Sequence, residues 1–276
     1  MKRIVYYHKG CPDGFGAAWS AWKKLGHTAE YIPISHSDDI SEYHQKQIYF
    51  LDICPSRSTL LRLQESNRVV ILDHHKSSKD IISSCKEYVY DDERSGAGIS
   101  WDYFLGNKKR PKLIDIIEDR DLWKWTVEGS MEALMVLDSI PKTFEAWSDF
   151  ADEIECPDYS NSRGYERAVA SGSLILRYQN ELISLASSKS YDGYILGNKA
   201  KFVNSNILQS FIGNNILKDP SVDLVAIYYK KDRDYIFSLR SNKGGVDCSD
   251  IARKFGGGGH HCASGFRVKS LDDLEA

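Results

Sequence analysis

Three short apolar runs in the first half of the chain end in residues that can bind a metal ion or move a proton. Arg3 to His8 delivers His8, Gln47 to Asp52 delivers Asp52, and Arg68 to Asp73 delivers Asp73 with His74 and His75 directly after it. Asp13 follows the first run, and a further acid stands within Glu118-Asp119-Arg120-Asp121. Carboxylate oxygens and imidazole nitrogens converging from different strand ends are the donor set of a binuclear hydrolytic centre. Taken singly, each residue reads more readily as a solvated loop charge, or as a helix cap in the case of Asp13. The coincidence of three strand ends is what packing alone does not explain.

The elements that would position these groups alternate. The three runs read as buried strands. Gly14 to Leu25 carries Phe15, Ala18, Trp22 and Leu25 at helical spacing, and Ser56 can cap a helix through Leu63. Strands separated by helices of this length predict βαβ units and a parallel sheet, with ligands beyond the carboxyl ends of the strands. Helices are expected over Ile99 to Phe104, Pro111 to Ile117, Thr143 to Phe150 and Arg163 to Ser187, with a polar turn near Cys156-Pro157-Asp158. The tail returns to α/β. Strands are expected over Val222 to Tyr229, Asp234 to Leu239 and near Gly265 to Val268, with a helix over Asp247 to Phe255.

A second group of candidates lies in that tail. Gly256 to Gly259, followed by His260, would let the backbone approach a ligand and turn N–H groups toward a phosphate. A flexible linker is the other reading. Arg240, at the end of the preceding strand, could fork onto the same phosphate or form a surface ion pair. Cys11, between His8 and Asp13, reads as a small loop residue, a redox-sensitive thiol or a soft ligand. Trp123 and Trp125 could stack on a base or fill a core. No Gly-x-Ser-x-Gly elbow or Gly-Lys-Ser/Thr loop is present, so serine hydrolase and P-loop chemistry lack support.

Composition narrows the partners. The 276 residues carry a net charge of -3, which argues against holding long nucleic acid by bulk positive charge. No apolar run approaches membrane-spanning length, and the apolar run after Met1-Lys2-Arg3 is too short for a signal peptide. The six cysteines are scattered, with no Cys-x-x-Cys pair. A cytoplasmic protein with free thiols, and without membrane partners, is expected.

Leu72-Asp73-His74-His75 resembles the Asp-His-His signature of the DHH phosphoesterase superfamily. Gly257-Gly258-Gly259-His260, with Ala263-Ser264-Gly265 after it, resembles the glycine motif of the associated DHHA1 domain, as in nanoRNase- and RecJ-like phosphodiesterases. The resemblance implies an α/β fold. Its parts would be a parallel-sheet DHH catalytic domain over 1–130, a helical connector over 131–190 and a smaller DHHA1 substrate domain over 191–276. The active site would lie in the cleft between the domains.

The resemblance also implies two Mn²⁺-type ions, with Mg²⁺ or Co²⁺ as alternatives, held by His8, Asp13, Asp52, His74 and Asp119. Asp52 would bridge the ions, Asp73 would orient His74, and His75 would face the substrate phosphate. Arg240, Gly257, Gly258, Gly259 and His260 would grip the nucleotide. The implied activity is hydrolysis of short linear or cyclic nucleotides, or of 3'-phosphoadenosine phosphate. Pyrophosphatase or exopolyphosphatase action, or nucleotide binding with weakened catalysis, are the alternatives. A homodimer is compatible with it.

The first motif departs from the family's His followed by two spaced Asp residues. Read with Asp13 as the second Asp, Cys11 replaces the first; read with Asp13 as the first, Phe15 replaces the second. The former continues better into Gly16-Ala17-Ala18. One metal would then be weaker, or held partly by thiolate. Asp119 fits the fourth motif best, having Trp123 four residues on, with Asp121 close behind.

Overall fold

The computed structural model describes residues 2–36, 38–156 and 164–275. The chain forms two compact units, Met1–Leu176 and Arg177–Ala276.

The first unit opens with β1 (Arg3–His8), α1 (Pro12–Leu25), β2 (Ala29–Ile34), β3 (Gln47–Leu51), α2 (Arg57–Gln64), β4 (Arg68–Asp73), α3 (Lys79–Ile82) and β5 (Glu87–Tyr90). Helices α4 (Gly96–Leu105), α5 (Lys112–Asp121), α6 (Ser130–Ser139) and α7 (Phe144–Glu155) follow, and α8 (Gly164–Ser187) begins in this unit. The strands make one parallel sheet in the order β2-β1-β3-β4-β5. Both faces are buried. Val5, Tyr49, Leu51, Val70 and Leu72 face a core shared with α1, α4, α5 and α7. Ile4, Tyr6, Ile48, Phe50 and Ile71 face a second core with Leu60 and Leu63 of α2. Burial on both sides explains why these strands read as continuous apolar runs rather than alternating ones. The chain leaves β1 toward β2 and returns on β1's other side as β3. That reversal opens a crevice beyond the ends of β1 and β3.

The second unit contains the end of α8, then β6 (Tyr191–Ile195), β7 (Asn198–Asn204), α9 (Gln209–Ile216), β8 (Leu224–Lys231), β9 (Asp234–Ser241), α10 (Cys248–Lys254), β10 (Gly258–His260) and β11 (Ala263–Val268). Its mixed sheet runs β10-β11-β9-β8-β7-β6, with β7 and β8 parallel and the other pairs antiparallel. Phe237, Leu239 and Phe266 pack with Ile251 and Ala252 of α10, while Val225 and Ile227 pack with Ile212 and Ile216 of α9.

Several expectations change in detail. The middle segment is not a separate connector: Leu134 of α6, Trp147 and Phe150 of α7 and Ala168 of α8 belong to the first unit's core. The boundary between units falls inside α8, which also places Ile183 in the second unit's core. Strands β2, β5, β6, β7 and β10 and helices α3, α6 and α9 add to the expected set. Strand β2 contains Pro33, a poor strand residue that an edge position tolerates. Strand β9 runs on to Ser241, so Arg240 sits within it rather than at its end. Pro157, Asp158 and Arg163, part of the expected turn and helix start, lie outside the described residues. Among the described residues, no helix is long and apolar enough to cross a membrane.

Candidate metal centre

Strand β1 ends at His8, and the turn that follows sends Asp13 into the first turn of α1. Cys11 is the N-cap of that helix, without a side-chain capping bond, and Pro12 starts it with a pre-set φ. Both Asp13 oxygens are anchored at the start of α4: Gly96 N donates to Oδ2 at 2.6 Å and Ala97 N to Oδ1 at 2.9 Å. The positive end of the helix holds the carboxylate there. Gly96 is required by this approach, because a Cβ there would lie 2.5 Å from Asp52 Cβ and 2.9 Å from Asp13 Oδ2.

Asp52 follows β3 with a left-handed φ of 57°, a strained conformation that aspartate tolerates better than most residues. It is 1% exposed, and neither carboxylate oxygen has a hydrogen-bond partner. Its Oδ2 lies 3.4 Å from His8 Nδ1 and its Oδ1 lies 3.2 Å from His74 Nε2. His74 Nε2 also faces Asp121 at 3.6 Å and Asp13 at 3.8 Å.

The potential ligand atoms form three groups. His8, Cys11 and Asp52 make one; Asp13, His74 and Asp121 make a second; within each, the ligand atoms lie within 4.8 Å of one another. Asp52 lies beside both, which is the arrangement a bridging carboxylate needs. Asp73, with Asp52, His74 and His75, makes a third such group. It is fully buried, and its Oδ1 accepts from His74 N at 2.7 Å, from His75 N at 3.2 Å and from His75 Nδ1 at 2.6 Å. Asp73 thus holds the His75 ring directly and His74 through its backbone N–H.

The charge pattern is that of a site short of positive charge. Burial, with Asp121 and Asp52 adding to it, holds the Asp13 carboxyl far above its usual range. Loss of solvation around its carboxyl group chiefly pushes Asp121 up to about 6, although the residue as a whole is exposed. Burial opposes ionisation of His74, but Asp52, Asp121 and Asp13 override it and push the imidazole up to about 10. Burial would also raise Asp52, yet His74 and His8 hold it well below the carboxylate range. A buried carboxylate without hydrogen bonds costs on the order of 1–3 kcal/mol or more. A divalent cation among these donors removes that cost, so the residues fit the expected metal pair.

Of the expected ligands, His8, Asp13, Asp52 and His74 come together and Asp119 does not. Asp119 Oδ1 accepts from Thr126 N at 2.7 Å and Thr126 Oγ1 at 3.0 Å. Its Oδ2 accepts from Ser130 Oγ at 2.6 Å and Val127 N at 3.2 Å. Burial works against its charge, but these donors prevail and hold its pKa below the usual value. It pins the loop between α5 and α6, and Asp121 reaches the centre instead. Cys11 stands beside His8 and Asp52, where the register with Asp13 as the second Asp would put a carboxylate.

His36, beyond the end of β2, was not among the candidates. Its ring centroid lies 5.7 Å from His8 and 6.5 Å from His75, and burial and those two rings lower its pKa. The strand-end rule would have found it had β2 been read as a strand. Trp125 packs on the first unit's core, whereas Trp123 is 37% exposed and meets it edge to face.

In the second unit, the Arg240 guanidinium donates to Leu239 O and Ser210 Oγ, each at 2.7 Å, and burial lowers its pKa. Gly258, Gly259 and His260 form β10, so the glycine run is ordered rather than a loose linker. Gly259 has φ 140° and lies against β11, where a side chain would strike Ala263 O and Ser264. A cleft of about 900 Å³ bordered by Gly256, Gly257, Lys231, Arg233, Arg267 and Lys269 lies in this unit, apart from Arg240 and His260.

A family model described as the DHHA1 domain matches residues 192–276. The uncharacterized protein R106 of Acanthamoeba polyphaga mimivirus is 30% identical over 295 residues, spanning 97% of this chain and 68% of that protein. In fold, the chain is similar to the pGpG-specific phosphodiesterase PggH from Vibrio cholerae, with 13% identity, a TM-score of 0.51 and coverage of 99% and 95% of the two chains. It is likewise similar to RecJ from Thermus thermophilus in complex with Mn²⁺, with 13% identity and a TM-score of 0.53, covering 99% of this chain and 50% of RecJ.

Proposed function

Because the chain belongs to the DHH/DHHA1 phosphoesterase superfamily, we propose that it is a divalent-metal-dependent phosphodiesterase acting on short nucleotides. The observation that carries the reading is Asp52: a buried carboxylate with neither oxygen hydrogen-bonded, standing beside two groups of metal-ligand type. His8, Cys11 and Asp52 would hold one ion, and Asp13, Asp52, His74 and Asp121 the other. When bound, the ions supply an ionised water near neutral pH and neutralise charge on the phosphoryl group.

The chain's own residues then have distinct tasks. Gly96 N and Ala97 N fix Asp13, so that its position does not depend on the ion. Asp73 sets the orientation of His75 and, against burial, raises its pKa, favouring an imidazolium that donates to a phosphoryl oxygen. Arg240 and His260, with the Gly257–Gly259 backbone, are proposed to hold the substrate's phosphate or free end. The half-buried Arg240 guanidinium donates to the neutral oxygens of Leu239 and Ser210, which leaves its charge for an anion. The net charge of -3 favours a short substrate over a polymer.

The test is a hydrolysis panel with Mn²⁺, Co²⁺ and Mg²⁺ over linear dinucleotides, cyclic dinucleotides, 3'-phosphoadenosine phosphate and pyrophosphate. Mononucleotide release from dinucleotides, lost in Asp52→Ala, is expected. No turnover with any metal, or turnover that Asp52→Ala leaves unchanged, contradicts the proposal.

A further inference from the structure

We infer that the half-site of His8, Cys11 and Asp52 binds its ion through the Cys11 thiolate, and so prefers a thiophilic divalent metal such as Zn²⁺ or Co²⁺. The Asp13–His74–Asp121 half-site offers two carboxylates and one imidazole and keeps the harder preference for Mn²⁺. The inference rests on the metal-centre reading above and makes the two half-sites chemically unequal.

Several independent observations place the thiol there as a ligand. The donor atoms of His8, Cys11 and Asp52 lie within 4.8 Å of one another. Two of the three are otherwise orphaned: His8 Nδ1 and both Asp52 oxygens are buried without hydrogen bonds, and Asp52 is 1% exposed. Cys11 is a free thiol, it makes no capping bond to α1, and it is partly accessible.

The other cysteines are placed differently. Cys54, Cys85 and Cys248 are buried within hydrophobic cores. Cys156 and Cys262 join no metal-type group among the described residues.

Ligand type determines the preference. Thiolate sulfur favours Zn²⁺ and other soft or borderline ions, whereas carboxylate and water suit Mn²⁺ and Mg²⁺. A coordinating thiol is bound as thiolate, so its proton leaves to solvent when the ion enters. One imidazole, one thiolate and one carboxylate would leave such an ion room for a water ligand.

The experiment titrates Co²⁺ into the metal-free full-length chain under anaerobic, thiol-free conditions and follows the absorption spectrum. A sulfur-to-cobalt charge-transfer band is expected in the wild type. It should vanish in Cys11→Ser and Cys11→Asp while d–d absorption from ion at the other half-site persists. In competition, Cys11→Asp should shift the first half-site's Zn²⁺-over-Mn²⁺ preference toward Mn²⁺ by at least about tenfold. Cobalt binding without the band, or a band that survives in both variants, overturns the inference and leaves the metal-centre reading standing. A wild type that binds no cobalt overturns both.

Discussion

At Asp121 the carboxylate lies 3.6 Å from His74 Nε2, while the Asp119 carboxylate accepts three hydrogen bonds from the loop beyond α5 and a fourth from Ser130 at the start of α6. The two positions therefore respond differently to loss of charge. Asp121→Asn is expected to weaken Mn²⁺ binding at least about tenfold with little loss of stability, since a metal ligand is removed but no buried bond is broken. Asp119→Asn puts an amide donor against donors and is expected to cost about 1–3 kcal/mol in urea unfolding. Equal effects of the two on metal binding would overturn the assignment.

Choosing between them from sequence required knowing that Thr126 and Ser130 fold back onto Asp119, which no local pattern announces. The aromatic Trp123, four residues on, pointed the wrong way. His8, Asp52 and His74 were legible because each ends or directly follows a strand that is legible itself.

Protonation follows the same residues. In the metal-free protein Asp121 has a pKa raised from 3.8 to about 6. An acid with a raised folded pKa takes up more protons folded than unfolded between those values. Its contribution to stability is thus present at low pH and lost as pH rises past about 6. A bound cation must displace that proton, so its affinity grows over the same window. The rise in Tm produced by Mn²⁺ is expected to be larger at pH 7.5 than at pH 5.5. A rise that shrinks with increasing pH contradicts the assignment.

Among the elements, α4 connects packing with chemistry. Its first turn supplies both anchors of Asp13, and Gly96 allows Asp52 to approach. At the first position of α4, helix propensity alone would make Gly96→Ala at most mildly stabilising. The contact with Asp52 instead predicts a displaced ligand and at least about tenfold weaker Mn²⁺ binding, measured by titration. Unchanged affinity with raised Tm would show that this approach does not matter.

The central strands β1, β3 and β4 were readable because apolar residues face both layers of core. Edge strands were not. Strand β2 carries Pro33, and Tyr88 and Val89 of β5 are exposed, so neither presents the expected pattern. With β2 went His36, the centre's remaining histidine.

For the whole molecule, the net charge of -3 and the carboxylate-rich centre describe a protein that gains local positive charge when metal is bound. The length was readable as two units, but their boundary was not. The helices after residue 130 contribute Leu134, Trp147 and Phe150 to the first core, a tertiary fact that helical spacing alone does not assign. The central claim is that Asp52 joins two metal sites. Isothermal titration of Mn²⁺ into the metal-free chain measures this most directly. The account predicts two binding events in the wild type, one tight and one weak. In Asp52→Asn the weak event should be lost and the tight one weakened at least about tenfold. An Asp52→Asn isotherm that matches the wild type, or no binding by either protein, would contradict it.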